Sequence, residues 1–388
     1  MGTHRSGGTR QLFSRPLLAG ALSLILIVAI VVAWRGYGER IDDGSAVAES
    51  CLEGEGVVPI IADPAIAPAL QEMAKAYNAL DPIVRDHCVN VEVRPADAQA
   101  TLEGLTAKTW DAQAYGAYPG AWVPESSVWA AALEIAAPAT LAGSPQSLVT
   151  SPVRLAVEPA LAAAADGGIA WGDLPALTRA NSLAAFGRSS WGSIRMAMPT
   201  GPQSDATSLA AQAVAAVTAD ATGPLTAEQA SSSDVVAAVT QLMSAPPSAG
   251  DGSVDAAVQS ISETTVPATA PIRAVPITEQ HLYLITKDDA EAKVAAVAPT
   301  GPTPQVDYPV ITLAGTQVQA FVADATAEFF TFARKPEQMK LLTQAGFRGA
   351  GPLPENTATV TFDEVTDPLP IPEPAASVEI DKTLRSES

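Results

Sequence analysis

Residues 57–80, VVPIIADPAIAPALQEMAKAYNAL, decide the fold. The unbroken apolar run suits a buried strand, and it stops at Asp63-Pro64. From there the apolar spacing turns helical, with Ile66, Leu70, Met73, Tyr77 and Leu80 on one face. Asp63 suits an N-cap and Pro64 the first helical position. Further on, residues 89–95, VNVEVRP, alternate valine with polar side chains as a half-buried strand does. The segment therefore reads strand–helix–strand. A right-handed crossover makes the two strands parallel, with both starts at one end of the sheet. Cys51 introduces the first strand and Cys88 begins the second, so the spacing brings the chain's two cysteines within reach of a disulfide. Metal binding is the rival reading, with His87 as a third ligand.

The alternation continues outward. Residues 97–105, DAQATLEGL, are helical, and the short strand AWV (121–123) runs into PESS (124–127) and an alanine-rich helix. SPVRLAV (151–157) is a strand. IAWGDLPAL (169–177), WGSIRMAMP (191–199) and SDATSLAAQAVAAV (204–217) repeat the plan of a strand followed by a capped helix. Residues 244–254, SAPPSAGDGSV, form a surface loop. APIRAVPITEQHLYLI (270–285) and VDYPVITL (306–313) are strand-like, which puts His281 at the start of an alternating strand. Helices at 316–333 and 336–344 follow, the second stopped by Gly346 as a C-cap. From Thr366 to Ser388 the chain is proline-rich, acidic and polar, and it reads as a disordered tail. Alternating strands and helices imply an α/β fold with a largely parallel sheet. No repeat of constant period is present.

Charge and hydropathy place the chain. Lys and Arg number 22 against 42 Asp and Glu, a formal charge of −20. That balance argues against nucleic acid, whose phosphates need a basic surface, and against a polybasic hold on anionic lipid. Residues 16–34, PLLAGALSLILIVAIVVAW, carry no charge over 19 residues. As a helix they span roughly 28 Å, near the hydrocarbon thickness of a bilayer. Arg5, Arg10 and Arg15 precede the run, while Glu39, Asp42 and Asp43 follow it. The positive-inside bias gives a cytoplasmic tail (1–15), a single transmembrane anchor (16–34) and a polar stalk (35–50). The main domain then lies outside the cell membrane, where two thiols pair. A cleaved signal peptide is the rival, with AVA (46–48) as its cleavage site. The apolar run is too long for it and the site too far beyond.

No familiar catalytic motif is present: neither G-x-S-x-G, Walker A, G-x-G-x-x-G, H-E-x-x-H nor paired C-x-x-C. A nucleophilic triad would have to bring His281 to Ser126 or Ser127. No cofactor or metal site is expected, and the chain is not read as an enzyme. Three strand ends instead run into helix starts rich in hydroxyls and acids: ADPA (62–65), PESS (124–127) and SDATS (204–208). PITEQ (276–280) offers similar groups without a clear helix after it. Each is either a helix cap or part of a ligand cradle at the carboxyl ends of the strands. One of them alone is a cap; several in one crevice are a site.

WVPESSVW (122–129), SPVRLAV followed by IAWGDL, AVPITEQ, and VDYPVITL leading into the Phe-rich helix together resemble the type II extracytoplasmic solute-binding proteins. The likeness runs from Cys51 to about Gly351 and is greatest to an actinobacterial cell-envelope branch often fused to a von Willebrand factor A domain. It implies two α/β lobes joined by crossing strands near SPVRLAV and RAVPITEQ. Lobe 1 would comprise 51–150 and 275–350, and lobe 2 residues 151–274. A small ligand would sit in the interlobe cleft, and the partner would be a membrane permease or a von Willebrand factor A domain protein. The cleft candidates implied are Asp63, Ser126, Ser127 and Ser151 on the first stretch of chain. Thr207, Ser208, Glu279 and Tyr308 complete them. No D-x-S-x-S motif of a von Willebrand domain appears, and a transmembrane anchor departs from the lipid anchors of transport receptors. A cell-envelope scaffold that keeps the fold without a ligand is the alternative: a polar cleft favours the receptor and an apolar-filled cleft the scaffold.

Overall fold

The computed structural model describes residues 51–166 and 168–386. The expected cytoplasmic tail, membrane span and stalk lie outside these residues. Among the described residues no helix is long and apolar enough to cross a membrane.

The first sheet grows from the segment that opened the sequence. Strands β1 (Gly54–Ala62) and β3 (His87–Pro95) pair in parallel along their whole length, from Gly54 opposite His87 to Ala62 opposite Pro95. Cys51 and Cys88 are joined in a disulfide at the shared start of the two strands, with Cα atoms 5.2 Å apart. Helix α1 (Ala67–Asn78) makes the crossover and buries Leu70, Met73 and Tyr77. Asp63 is not its cap. The carboxylate accepts from the Ala65 N–H at 2.8 Å in the turn before it, and Ile66 takes the cap position. Leu80 lies past the helix end and is exposed. A short strand, β2 (Ile83–Val84), edges the sheet, while β4 (Ala121–Val123) extends it in parallel beside β1. Between them run α2 (Ala98–Thr106), capped by Asp97 through the Ala100 N–H at 2.8 Å, and the single turn α3 (Ala112–Tyr115). After β4 comes α4 (Ser127–Ala136), and then β5 (Gln146–Ser147).

Strand β6 (Ser151–Val157) carries the chain into a second sheet with β7 (Ala274–Thr278) and β8 (Ala295–Val297), all antiparallel neighbours in the order β7-β6-β8. Its helices are α5 (Pro159–Ala165), α6 (Leu174–Leu177), α7 (Asp205–Thr218), α8 (Ala227–Ala230), α9 (Ser233–Leu242) and α10 (Val254–Ser262). The expected strands at 169–199 are instead 3-10 turns at Trp171–Asp173, Ser182–Phe186 and Ser189–Trp191, with isolated bridges from Ala170 to Thr300 and from Met196 to Ala274. Gly187 and Gly192, at φ +68° and +78°, break the run before a ladder can form.

Beyond β7 the chain does not continue as a strand. Thr278 caps α11 (Glu279–Thr286) by accepting from the His281 N–H at 3.1 Å, so His281 is helical. The chain reaches the first sheet again through β9 (Gln305–Val306), paired with the start of β6, and β10 (Pro309–Thr312). β10 lies antiparallel between β4 and β5, so the first sheet has the order β2-β3-β1-β4-β10-β5. Only its centre is parallel, because the outer strands arrive from turns or from the other half. The largely parallel expectation holds for that centre alone. Residue 275, the expected start of the second part of lobe 1, belongs to β7, which pairs with β6 over all five of its residues. Helices α12 (Ala320–Ala333) and α13 (Pro336–Gln344) match their sequence assignments, and Gly346 follows at φ +90°.

The tail differs most. Residues 374–386, expected to be disordered, form α14 (Pro374–Ser386). Ala376, Ile380 and Leu384 recur every fourth residue and are buried, a helical stripe inside a segment whose proline and acid content reads as disorder. α14 packs on α4 of lobe 1 and on α7, α8 and α9 of lobe 2. The largest hydrophobic cluster runs from Val58 and Leu70 through Val153 and Val214 to Ile380 and Leu384, so one core joins the two halves.

Candidate functional site

β1 and β4 end together, Ala62 opposite Val123. Asp63 and Glu125 therefore leave the sheet side by side at its carboxyl edge, and the Asp63 N–H donates to the Val123 carbonyl at 2.8 Å. Lobe 2 brings a third acid against them: Asp205, the first residue of α7. Its N–H donates to Glu125 Oε2 at 3.4 Å. Its carboxylate accepts from Ser126 Oγ at 2.5 Å and from Trp129 Nε1 at 2.8 Å. Ser126 also caps α4, accepting from the Val128 N–H at 3.3 Å. The same hydroxyl thus starts a helix and crosses the lobe boundary.

These residues line a cavity of about 270 Å³ between the lobes. Asp63, Asp97, Gln99, Glu125 and Trp129 form its lobe 1 wall, and Thr200 to Gln203 with Asp205 form its lobe 2 wall. Arg385 of α14 closes the rim. Burial pushes Asp63 up to about 7, and the Asp205 charge adds to the shift against an opposing hydrogen bond from Ala65. Asp205 is raised to about 6 by burial, against the Ser126 and Trp129 hydrogen bonds that favour its charged form. Glu125 stands well above the usual carboxylate range, through burial first and then the charges of Asp205 and Asp63. Burial of three acids around one cavity makes each negative charge there costly, and a positive charge placed among them would favour their ionised forms. Among the described residues no three His, Cys, Asp or Glu side chains are grouped so as to hold a metal ion.

A fourth acid lies behind the first three. Asp307, raised by burial, accepts from the Ser127 N–H at 2.7 Å and from the Ser127 hydroxyl. Beside it Tyr308 is fully buried at φ +39°, an unusual backbone for an aromatic residue, with its ring edge-on to Phe347. Burial and the charges of Glu125, Asp63 and Asp205 hold its phenol well above the ordinary value.

Of the eight candidates, Asp63 lines the cavity directly, Ser126 grips its acid Asp205 from the lobe 1 side, and Ser127 holds Asp307 outside the cavity. Thr207 and Ser208 are buried in the first turns of α7. Ser208 Oγ donates to Asp381 of α14 at 3.1 Å, and Thr207 Oγ1 finds no hydrogen-bond partner among the described residues. Ser151 and Glu279 sit apart, where β6 leaves lobe 1. Ser151 Oγ accepts from the Gln280 N–H at 2.9 Å. Glu279 accepts from Arg154 at 3.0 Å and from Arg348 at 2.8 and 3.0 Å, so its carboxylate is fully engaged between two guanidinium groups. His281 pairs with Asp255 at 2.7 Å. Sequence reasoning passed over Glu125, Asp205 and Asp307. For Glu125 and Asp205 the signal was there: ADPA, PESS and SDATS carry one acid each at or just before a helix start, and Asp63, Glu125 and Asp205 converge, whereas Asp307 lies outside these segments.

Comparison with known proteins agrees with this geometry. Residues 58–348 match the family described as bacterial extracellular solute-binding protein. An uncharacterized protein of Mycobacterium tuberculosis is 35% identical over 372 residues, covering 95% of this chain and 54% of the relative. The chain therefore spans about half the length of that relative. Among solved structures, a ferric binding protein from Campylobacter jejuni superposes with a TM-score of 0.54 at 12% identity, covering 84% of this chain and 97% of that one. Iron-bound HitA from Pseudomonas aeruginosa gives 0.53 at 16%, with coverages of 85% and 98%. An ABC transporter structure from Clostridium perfringens gives 0.54 at 14%, with coverages of 84% and 98%. At such identities the likeness is one of fold: two α/β lobes with a cleft between them. On the match over most of its length, the chain belongs to the bacterial extracellular solute-binding protein family.

Proposed function

We propose that the protein is a membrane-anchored extracytoplasmic receptor that holds a small organic cation, of the amine class, between its lobes. One observation carries the reading: Asp63, Glu125 and Asp205, drawn from both lobes, are buried around one cavity at the carboxyl ends of β1 and β4. A cavity of about 270 Å³ is just below the ~300–1,000 Å³ typical of drug-sized ligands, which favours a small solute. Closely spaced buried acids repel one another, and an ammonium group relieves that repulsion while donating to their oxygens. The iron of the ferric binding protein and of iron-bound HitA is not carried over, because at 12–16% identity only the fold is shared. A cavity left open between the lobes, with three acids in a partly apolar lining, favours a receptor over the scaffold alternative, which calls for a cleft filled by apolar side chains. Ser126 and Ser127 donate their hydroxyls to Asp205 and Asp307, which supports holding a ligand rather than attacking one. A permease would take the solute onward, and the reading does not call on a von Willebrand domain partner.

Calorimetry on the full chain with diamines, basic amino acids and quaternary amines tests this, with dicarboxylates and sugars as controls. At least one cation should bind, and Asp205→Asn should weaken it by tenfold or more, the equivalent of about 1.4 kcal/mol. Affinity should rise from pH 5.5 to 8 as the acids ionise. Binding of an anion or a neutral sugar alone, unaffected by Asp205→Asn, would overturn the cation reading.

A further inference from the structure

We infer that α14 is an interlobe latch: a detachable C-terminal helix that clamps lobe 1 to lobe 2 across the mouth of the acidic cavity. The inference stands whether or not the cavity takes a cation. The helix lies against α4 on one side and against α7, α8 and α9 on the other, so its buried stripe of Ala376, Ile380 and Leu384 bridges the two lobes. Polar contacts bind it to lobe 2. Gln212 Nε2 donates to Ser377 Oγ at 3.0 Å, and Ser208 Oγ donates to Asp381 Oδ1 at 3.1 Å. Arg385 then spans the boundary. Its guanidinium lies 5.8 Å from the Trp129 ring of lobe 1, donates to the Thr200 carbonyl of lobe 2 at 3.3 Å, and is held by Asp381 at 2.7 Å. Thr200, Trp129 and Arg385 all line the cavity, so the clamp and the cavity mouth are one place.

The same helix is built to leave. Its 13 residues are too few to be stable alone in water, so on release it unfolds rather than swinging as a rigid arm. Its lead-in, residues 367–373, holds prolines 368, 370 and 372 and is tied to the body by few backbone bonds over its seven residues. The Asp367 carbonyl accepts from the Thr303 N–H at 2.7 Å, Leu369 N–H donates to the Thr303 carbonyl at 2.8 Å, and Glu373 N–H donates to the Leu225 carbonyl at 3.0 Å. Few backbone bonds and a short apolar stripe mark a unit that opens before the core does. An extracytoplasmic receptor of two lobes admits solute by parting them, and this one must first shed α14.

Amide hydrogen exchange on the ligand-free full chain tests the latch. Ile380→Asp should speed exchange at least tenfold in α14, in α4 and at the start of α7, while β1 and β3 amides keep their protection as an internal record of folding. Should Ile380→Asp also expose β1 and β3, the milder pair Leu384→Ala with Arg385→Ala makes the same test. If α14 exchanges freely and α4 and α7 stay as protected as in the parent, the helix is an appendage and the latch is refuted. Because no solute is present, this outcome is independent of whether any cation binds.

Discussion

Asp63 and Asp205 make the site sensitive to pH in two opposite ways. In the unfolded chain an aspartate titrates near 3.9; here burial raises the two to about 7 and about 6. Between those limits the folded state binds more protons than the unfolded one, so stability falls as pH rises. The contribution is complete below about pH 4 and lost once pH passes the folded values. Solute affinity runs the other way, since a cation needs the ionised acids. The melting temperature of the ligand-free chain should therefore drop from pH 5 to pH 8. Asp205→Asn should flatten part of that slope, while keeping an oxygen acceptor for Trp129 and Ser126. A melting profile equally steep in parent and variant would mean that Asp205 does not titrate in this window.

Among the elements, the disulfide and the cavity sit at opposite ends of the same strands. Cys51 and Cys88 are at the start of β1 and β3, and Asp63 follows the end of β1, so the nine residues of that strand, roughly 30 Å, lie between disulfide and cavity. Closing a loop over a separation of 37 residues stabilises the fold by about 4 kcal/mol in the chain-entropy account. Replacing both cysteines with serine should lower the melting temperature and leave solute affinity unchanged; a loss of affinity in the folded variant would show that the strand starts and the cleft are coupled. That β1–α1–β3 unit was legible because its periodicity switches cleanly between strand and helix, and α2, α12 and α13 were legible for the same reason. Residues 169–199 were not, since their apolar runs are too short to distinguish a strand from a turn until Gly187 and Gly192 are seen at positive φ. Around α14 composition masked periodicity: over residues 366–388 prolines and acids outnumber the buried stripe of Ala376, Ile380 and Leu384. At the cleft the strand-to-helix junctions were legible but their working groups were misjudged. Hydroxyls that cap helices are recognisable locally, whereas the burial of Glu125 and Asp205 depends on two lobes meeting.

For the whole molecule the decisive question is which side of the membrane the cleft faces. Arg5, Arg10 and Arg15 before the uncharged run at 16–34, with Glu39, Asp42 and Asp43 after it, favour a cytoplasmic N-terminus and an outward domain. Two further features agree with that orientation: a disulfide persists in an oxidising compartment, and the matched family is extracellular. A formal chain charge of −20 disfavours contact of such a domain with anionic headgroups. Two epitopes, one before Arg5 and one after Ser388, separate the possibilities in intact cells exposed to protease. The C-terminal epitope should be removed and the N-terminal one protected, with both on a single band of full mass before treatment. Loss of the N-terminal epitope from that band would replace the anchor by a cleaved signal peptide. Protection of the C-terminal epitope until lysis would reverse the topology, and an amine receptor facing the cytoplasm would have no external solute to collect.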